Sequence, residues 1–254
     1  TLKNAEDASS VYEYIYRVCF SDSYQGVVGA NFVHKKFGNA KVAILQDTGN
    51  DYSKGLADAF EKTYTDSKIG GTVVTREYYQ SKDTDFQAVL TTLKSKDFDV
   101  LYVPGYYEEV GLIIKQAREM GITQPIVGGD GFNGAEFVQQ ATAERASNIY
   151  FISGFSTTVD VSDKAKAFLE AYRAKYNEDP STFAALAYDS VYLVANAAKG
   201  AKTSVDLKNN LAKTQNFEGV TGQTSFDADH NTVKTAFMMT MNNGKVDAAE
   251  VVKP

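Results

Sequence analysis

Tryptophan is absent, cysteine occurs once and histidine twice in these 254 residues. Each shortage closes a route. A single thiol, Cys19, cannot form an internal disulfide and says nothing firm about redox compartment. Flanked by Val18 and Phe20, it reads as a small buried apolar residue. No helix N-terminus directly precedes it and no base is near, so a reactive thiolate is not expected. His34 stands in a polar helix end, His34-Lys35-Lys36, and His230 in a turn. Neither has sequence partners that would build a triad or a metal site. No apolar run approaches the roughly 18 residues of a membrane span. Lys and Arg form no block and the net charge is -6, which argues against nucleic acid as a partner. A G-x-x-x-x-G-K-[ST] phosphate loop is missing. No secretory signal is visible. Because the chain opens at Thr1 without a methionine, it is expected to be a processed or trimmed product, and the missing signal excludes nothing.

What is present is an ordinary globular composition, 43% hydrophobic and 23% charged, with length for one or two cores. Aromatic ligand contacts would fall to the 16 tyrosines and to phenylalanine. Residues 1–11 are polar and read as a tail or linker, and 12–20 alternate loosely, as a strand does. Ser21-Asp22-Ser23 offers cap residues for a helix ending near Gly38. A regular series follows: a strand at 41–45, a helix at 51–64, a strand from Thr72, a helix opened by a Thr84-x-x-Gln87 capping box, a strand at 99–103, a helix at 108–120 and a strand at 125–128. Strands spaced by helices of this length predict a parallel sheet covered on both faces. Beyond Ile152 the pattern changes. Helices are predicted at 163–176, 182–199 and 204–213, the last with Ser204 as N-cap and none with a parallel sheet of its own. Short β pieces around 219–226, a turn at 227–231 and two strands joined by Asn243-Gly244 close the chain.

One loop organises the candidate site. Ile126-Val127 runs into Gly128-Gly129-Asp130-Gly131-Phe132-Asn133-Gly134, which places Asp130 at the carboxyl end of a strand, where open α/β sheets bind ligands. A lone carboxylate there suits a cationic group such as an amine; the alternative is that it only caps the helix beginning near Ala135. The loop also spells G-x-G-x-x-G, but an acid inside it would repel phosphate and the next strand, 149–152, ends without the acid that holds a ribose. Two further loops should converge on Asp130, one carrying Tyr52 and one carrying Tyr106. Aromatic walls around one acid suit a small molecule with an amine and an apolar side chain, unless the tyrosines merely cover their neighbours. Asp227-Ala228-Asp229-His230-Asn231 copies the start of a calcium loop, but Thr232 and Met238 stand where glycine and glutamate belong, and a tight turn is expected. No metal or cofactor is implied.

Taken in order, several segments resemble the extracytoplasmic solute-binding proteins of branched-chain amino-acid ABC transporters, which have the type I periplasmic-binding-protein fold. They are Tyr14-Ile15-Tyr16-Arg17 with Asp22-Ser23-Tyr24-Gln25-Gly26, Lys41–Leu45 with Asp51-Tyr52-Ser53-Lys54-Gly55-Leu56, Asp83–Phe86, Asp99–Tyr107, Gln116-Ala117-Arg118-Glu119-Met120-Gly121, the Asp130 loop, and Ala184-Ala185-Leu186-Ala187-Tyr188-Asp189. The resemblance implies two α/β lobes joined by three crossings, with the ligand clamped between them. In the family, the acid at Asp130 holds the ligand's α-ammonium, aromatics at Tyr52 and Tyr106 line one lobe, and an aromatic at or near Phe183 comes from the other. Asp130 replaces the more usual glutamate and shortens that arm by one methylene. Family members begin with about a hundred more residues, which build most of the first lobe's sheet and grip the ligand carboxylate. The second lobe is therefore expected to be complete, over 18–153 plus 233–254, and the first partial, over 1–17 plus 156–231. The implied role is that of a non-enzymatic carrier, extracytoplasmic, delivering an amino acid to an ABC permease. The expected motion is cleft closure about hinges near 17–20, 154–157 and 231–234. A ligand-sensing domain on the same fold, or an α/β enzyme using Asp130, are the alternatives. The fragment is expected to bind amino acids weakly, and helices 163–213 to expose an apolar face that drives self-association.

Overall fold

The computed structural model describes residues 7, 10–157, 159 and 162–252; the tail predicted over 1–11 falls mostly outside them. In chain order the elements are α1 (Asp22–Phe37), β1 (Lys41–Asp47), α2 (Asp51–Tyr64), β2 (Thr72–Tyr79), α3 (Gln87–Lys94), β3 (Val100–Tyr102), α4 (Tyr107–Glu119), β4 (Ile126–Gly128), a 3-10 turn (Asp130–Phe132), α5 (Ala135–Ala141) and β5 (Ile149–Ser153). They continue with α6 (Asp163–Tyr176), α7 (Thr182–Ala197), α8 (Ser204–Ala212), β6 (Phe217–Gly219), β7 (Gly222–Phe226), β8 (Thr232–Val233), β9 (Ala236–Asn242) and β10 (Lys245–Val252). Two compact units emerge, Asp22–Ser153 with Phe237–Pro254, and Thr1–Ser21 with Gly154–Ala236.

The first unit is built on a seven-stranded sheet in the order β10-β9-β5-β4-β3-β1-β2. From β2 to β5 all neighbours run parallel, and β9 pairs antiparallel with β5. The inner strands are short and apolar, and β3, β4 and β5 are buried along their whole length, as strands covered on both faces must be. The chain steps from β1 outward to β2, then returns past β1 to build β3, β4 and β5 in the opposite direction. With right-handed crossovers that reversal puts α2 on one face and α3, α4 and α5 on the other. Accordingly α1 lies against α2, and α4 against α5. The reversal between β1 and β3 is the place where an open sheet leaves a crevice at its carboxyl edge. The β9–β10 turn, Asn243-Gly244, has φ of 49° and 70°, the double positive φ of a type I′ hairpin.

The second unit holds α6, α7 and α8 with the antiparallel sheet β6-β7-β8. Phe155, Phe168, Leu169, Ala185 and Val220 form its core. Asp189 of α7 ties helix to sheet: its buried carboxylate accepts from Val220 N at 2.7 Å, Thr221 N at 2.9 Å and Thr221 Oγ1 at 2.5 Å. α7 is apolar nearly all round. Leu186 and Leu193 face inward, while Phe183, Tyr188, Val191, Tyr192 and Val194 remain exposed, Val191 at 67%. A helix without a polar face normally has something laid over it.

Four local expectations need correction. Residues 12–20 form no strand. Their alternation instead serves side-chain contacts, with Tyr16 stacked on His230 at 4.1 Å and packed on Phe226 at 5.1 Å. The capping box at Thr84 does not form, because Gln116 takes over: its Oε1 accepts from Phe86 N and its Nε2 donates to Thr84 O. The N-cap of α8 is Thr203, in a reciprocal box with Asp206, and not Ser204. Cys19 is half-buried and not a core residue.

Candidate functional site

Loops from three adjacent strands, β1, β3 and β4, meet at the sheet's carboxyl edge. The β1–α2 loop is set by Asp47, whose Oδ1 accepts from Gly49 N at 2.8 Å and whose Oδ2 accepts from Ser81 Oγ at 2.5 Å. Ser53 Oγ accepts from Asp47 N and donates to Pro104 O at 2.5 Å, stitching this loop to the one after β3. Asn50 caps α2 by accepting from Tyr52 N at 2.9 Å, so Tyr52 stands in the first helical turn, a rigid place from which to reach across the edge.

Asp130 lies where the sequence places it, just past β4, and does not cap α5, whose N-cap is Gly134. Tyr52 Oη donates to Asp130 Oδ1 at 2.9 Å and accepts from Gly131 N at 2.9 Å. Tyr106 stacks on the Tyr52 ring at 4.8 Å with 22° between planes, and is itself exposed. Gln25, reaching from α1, accepts from Asp130 N at 2.9 Å. Asn133 N and Nδ2 both donate to Asp130 O, at 3.1 and 2.9 Å. The bracketing glycines answer to close approach. A Cβ at Gly129 would collide with the Tyr52 hydroxyl, Leu56 and Gln25, and one at Gly131 with Gly105 O. The G-x-G-x-x-G string therefore has no open phosphate cradle: its first inner N–H groups are spent on Gln25 and Tyr52.

Asp130 is 7% exposed, and burial raises its carboxyl above the ordinary aspartate value. The hydrogen bonds from Gln25 and Tyr52 pull it down, while the charge of Asp22 pushes it up. Among the described residues no lysine or arginine pairs with it. A carboxylate held charged by neutral donors, without a protein cation, retains its pull on a cationic ligand. Burial, then the charge of Asp130, drives the Tyr52 hydroxyl well above 10, so it acts as a donor and not as a base. Asp130 thus meets one requirement of an acid–base centre, an upward shift, while the group bonded to it does not titrate near neutrality. Among the described residues no cluster of three or more His, Cys, Asp or Glu could hold a metal, and the turn at Asp227 is closed by its own side chain, which accepts from Asp229 N and Asn231 N.

The structure thus brings Asp130, Tyr52 and Tyr106 together. Phe183 belongs to the other unit, at the start of α7, with 38% of its surface exposed. Gln25 is a site residue that the sequence reading did not single out. No short-range pattern joins it to a loop about a hundred residues away, although it sits in the Asp22–Gly26 segment used for the resemblance.

The family described as periplasmic binding protein matches residues 4–245. The chain belongs to that family. As a periplasmic binding protein it shares 34% identity over 192 residues with the Leu/Ile/Val-binding protein BraC3 of Rhizobium johnstonii, a match covering 76% of this chain and 50% of that one. The Leucine-, isoleucine-, valine-, threonine-, and alanine-binding protein of Pseudomonas aeruginosa is 30% identical over 224 residues, covering 87% and 58%. This chain spans about half to three-fifths of the curated relatives it matches. Among solved structures, the branched-chain amino acid transporter substrate binding protein LivJ from Streptococcus pneumoniae, in complex with isoleucine, superposes with a TM-score of 0.90 at 68% identity, over 95% of this chain and 68% of that one. The leucine binding protein LivK from Thermotoga maritima also gives 0.90, at 31% identity, over 99% and 71%. The family and these relatives are binding proteins, and the family name places them outside the cytoplasm.

Proposed function

We propose that this chain is the substrate-binding component of an ABC importer and takes up a small amino acid with a branched aliphatic side chain. The observation that carries this reading is the buried Asp130 carboxylate, hydrogen-bonded by Tyr52 and free of any lysine or arginine among the described residues. An α-ammonium group supplies the missing countercharge through charge-assisted hydrogen bonds. Tyr52 and Tyr106 form an aromatic stack beside it for an apolar side chain, and Phe183 is the further aromatic contact in this reading. The names of the relatives support the choice of amino acid. The chain is not an enzyme in this account: Tyr52 is locked as a donor, and no second titrating group bonds Asp130. Its place is extracytoplasmic, and its partner is the membrane permease of the importer.

The uncovered face of α7 fits a larger lobe in which further polypeptide lies over Phe183, Val191 and Val194. Without that cover the face drives self-association. Calorimetry with leucine, isoleucine and valine tests the binding reading. Heat of binding should appear for at least one of the three and vanish in Asp130→Asn. Equal binding by the variant, or none by the unaltered chain completed with its relatives' remaining lobe, overturns it.

A further inference from the structure

Gln25 is 1% exposed, an expensive position for an amide unless both ends are satisfied. Its Oε1 accepts from the backbone N–H of Asp130 at 2.9 Å, and its side chain also hydrogen-bonds the Asp130 carboxylate. A carboxylate can only accept, so the second bond runs from the Gln25 Nε2. Glutamine alone among side chains of this length offers an acceptor and a donor on one flat group, and here both go to a single residue. The close approach is built into the backbone: a side chain at Gly129 would strike Gln25 Oε1. Gln25 reaches in from α1, whose face against α2 also carries Gly26, set against the backbone of Leu56 and Phe60. The helix that positions this amide is thus wedged against the helix that carries Tyr52. Tyr52 and Gln25 hold Asp130 from two separate helices.

We propose that Gln25 is a positioning residue for ligand capture, clamping Asp130 by backbone and side chain at once so that its carboxylate is aimed at an incoming ammonium group. The proposal rests on the reading of Asp130 as an amine receptor, but the clamp itself can be tested without ligand. The Asp130 carboxyl carbon and the Gln25 side-chain amide are followed by NMR across the acidic range in the unliganded chain. The amide resonance should titrate with the same midpoint as Asp130, because protonation removes its acceptor. Gln25→Glu keeps the acceptor for Asp130 N and loses the donor, while Gln25→Met loses both. Both substitutions should move the Asp130 midpoint to higher pH, and Gln25→Glu, which adds a like charge, at least as far as Gln25→Met. A purely structural role predicts an unmoved midpoint in Gln25→Glu; that result, or an amide resonance indifferent to Asp130, overturns the proposal even if Gln25→Met fails to fold. In calorimetry with leucine, loss of the clamp should weaken binding by about tenfold near pH 5, and by less at about pH 8 where Asp130 is charged in either form. A profile weakened equally at both pH values also overturns it. Absence of leucine binding in the unaltered chain, with the NMR coupling intact, would count against the receptor reading and leave the clamp standing.

Discussion

Replacing Tyr52 by phenylalanine removes a single oxygen and leaves the stack on Tyr106 in place. That oxygen makes two bonds, donating to Asp130 Oδ1 and accepting from Gly131 N, both at 2.9 Å. The first is charge-assisted, worth ~1.5–3 kcal/mol, and the second leaves an N–H unpaired beside a buried loop, at a cost of ~1–3 kcal/mol. The two share one atom and are not additive, so Tyr52→Phe is expected to destabilise the chain by ~2–4 kcal/mol near neutral pH. The sign of the pH dependence follows from Asp130. Its folded-state value already lies above the ordinary one because of burial, and loss of the Tyr52 donor raises it further. The variant therefore takes up its proton at higher pH than the unaltered chain, and its deficit shrinks as pH falls through that range, to ~1 kcal/mol once both are protonated. Urea melts at about pH 7.5 and at the lowest pH where both chains stay folded measure this difference. A deficit below ~0.5 kcal/mol, or one that is the same at both pH values, would mean that the hydroxyl does not hold the carboxylate.

Other perturbations probe the second unit. Asp189→Asn removes the charge that accepts from Val220 N, Thr221 N and Thr221 Oγ1 and turns an amide donor towards them, so urea melts should show a loss of ~3 kcal/mol. Lys234 donates to Thr221 Oγ1, and burial lowers its amine from 10.5 to about 8. Its charged form is penalised fully below pH 8 in the folded state, and the penalty lifts as pH rises from there towards the unfolded value. The stability deficit of the unaltered chain relative to Lys234→Met should therefore narrow between about pH 7.5 and about pH 9.5; a constant difference would show that the lysine is not desolvated. Val191→Glu with Val194→Glu places two charges on the exposed face of α7, and light scattering should then show less self-association than in the unaltered chain.

How far the residues alone reveal this architecture depends on the range of the forces involved. The bounds of α2 and α6 are readable because local groups set them: Asn50 and Ser162 each cap the first turn with their own side chain. The parallel sheet is readable because 41–45, 99–103 and 125–128 are short apolar runs between helical patterns. Residues 12–20 mislead because alternation of tyrosines fits a strand equally well, while the hydrogen bonds that would make one need a neighbour that sequence cannot show. Thr84 misleads because a glutamine 32 positions away outcompetes the local cap. At the site, Asp130, Tyr52 and Tyr106 could be found because each follows a recognisable strand, and topology brings such ends together. Gln25 could not, since its two bonds to Asp130 join residues 105 apart.

The most direct test compares leucine with 4-methylpentanoate, the same skeleton without the amine, by calorimetry on one sample. If the Asp130 carboxylate is an ammonium receptor, leucine should bind at least about a hundredfold more tightly, the loss expected when a buried charge is left without its partner. Equal affinities would contradict the account.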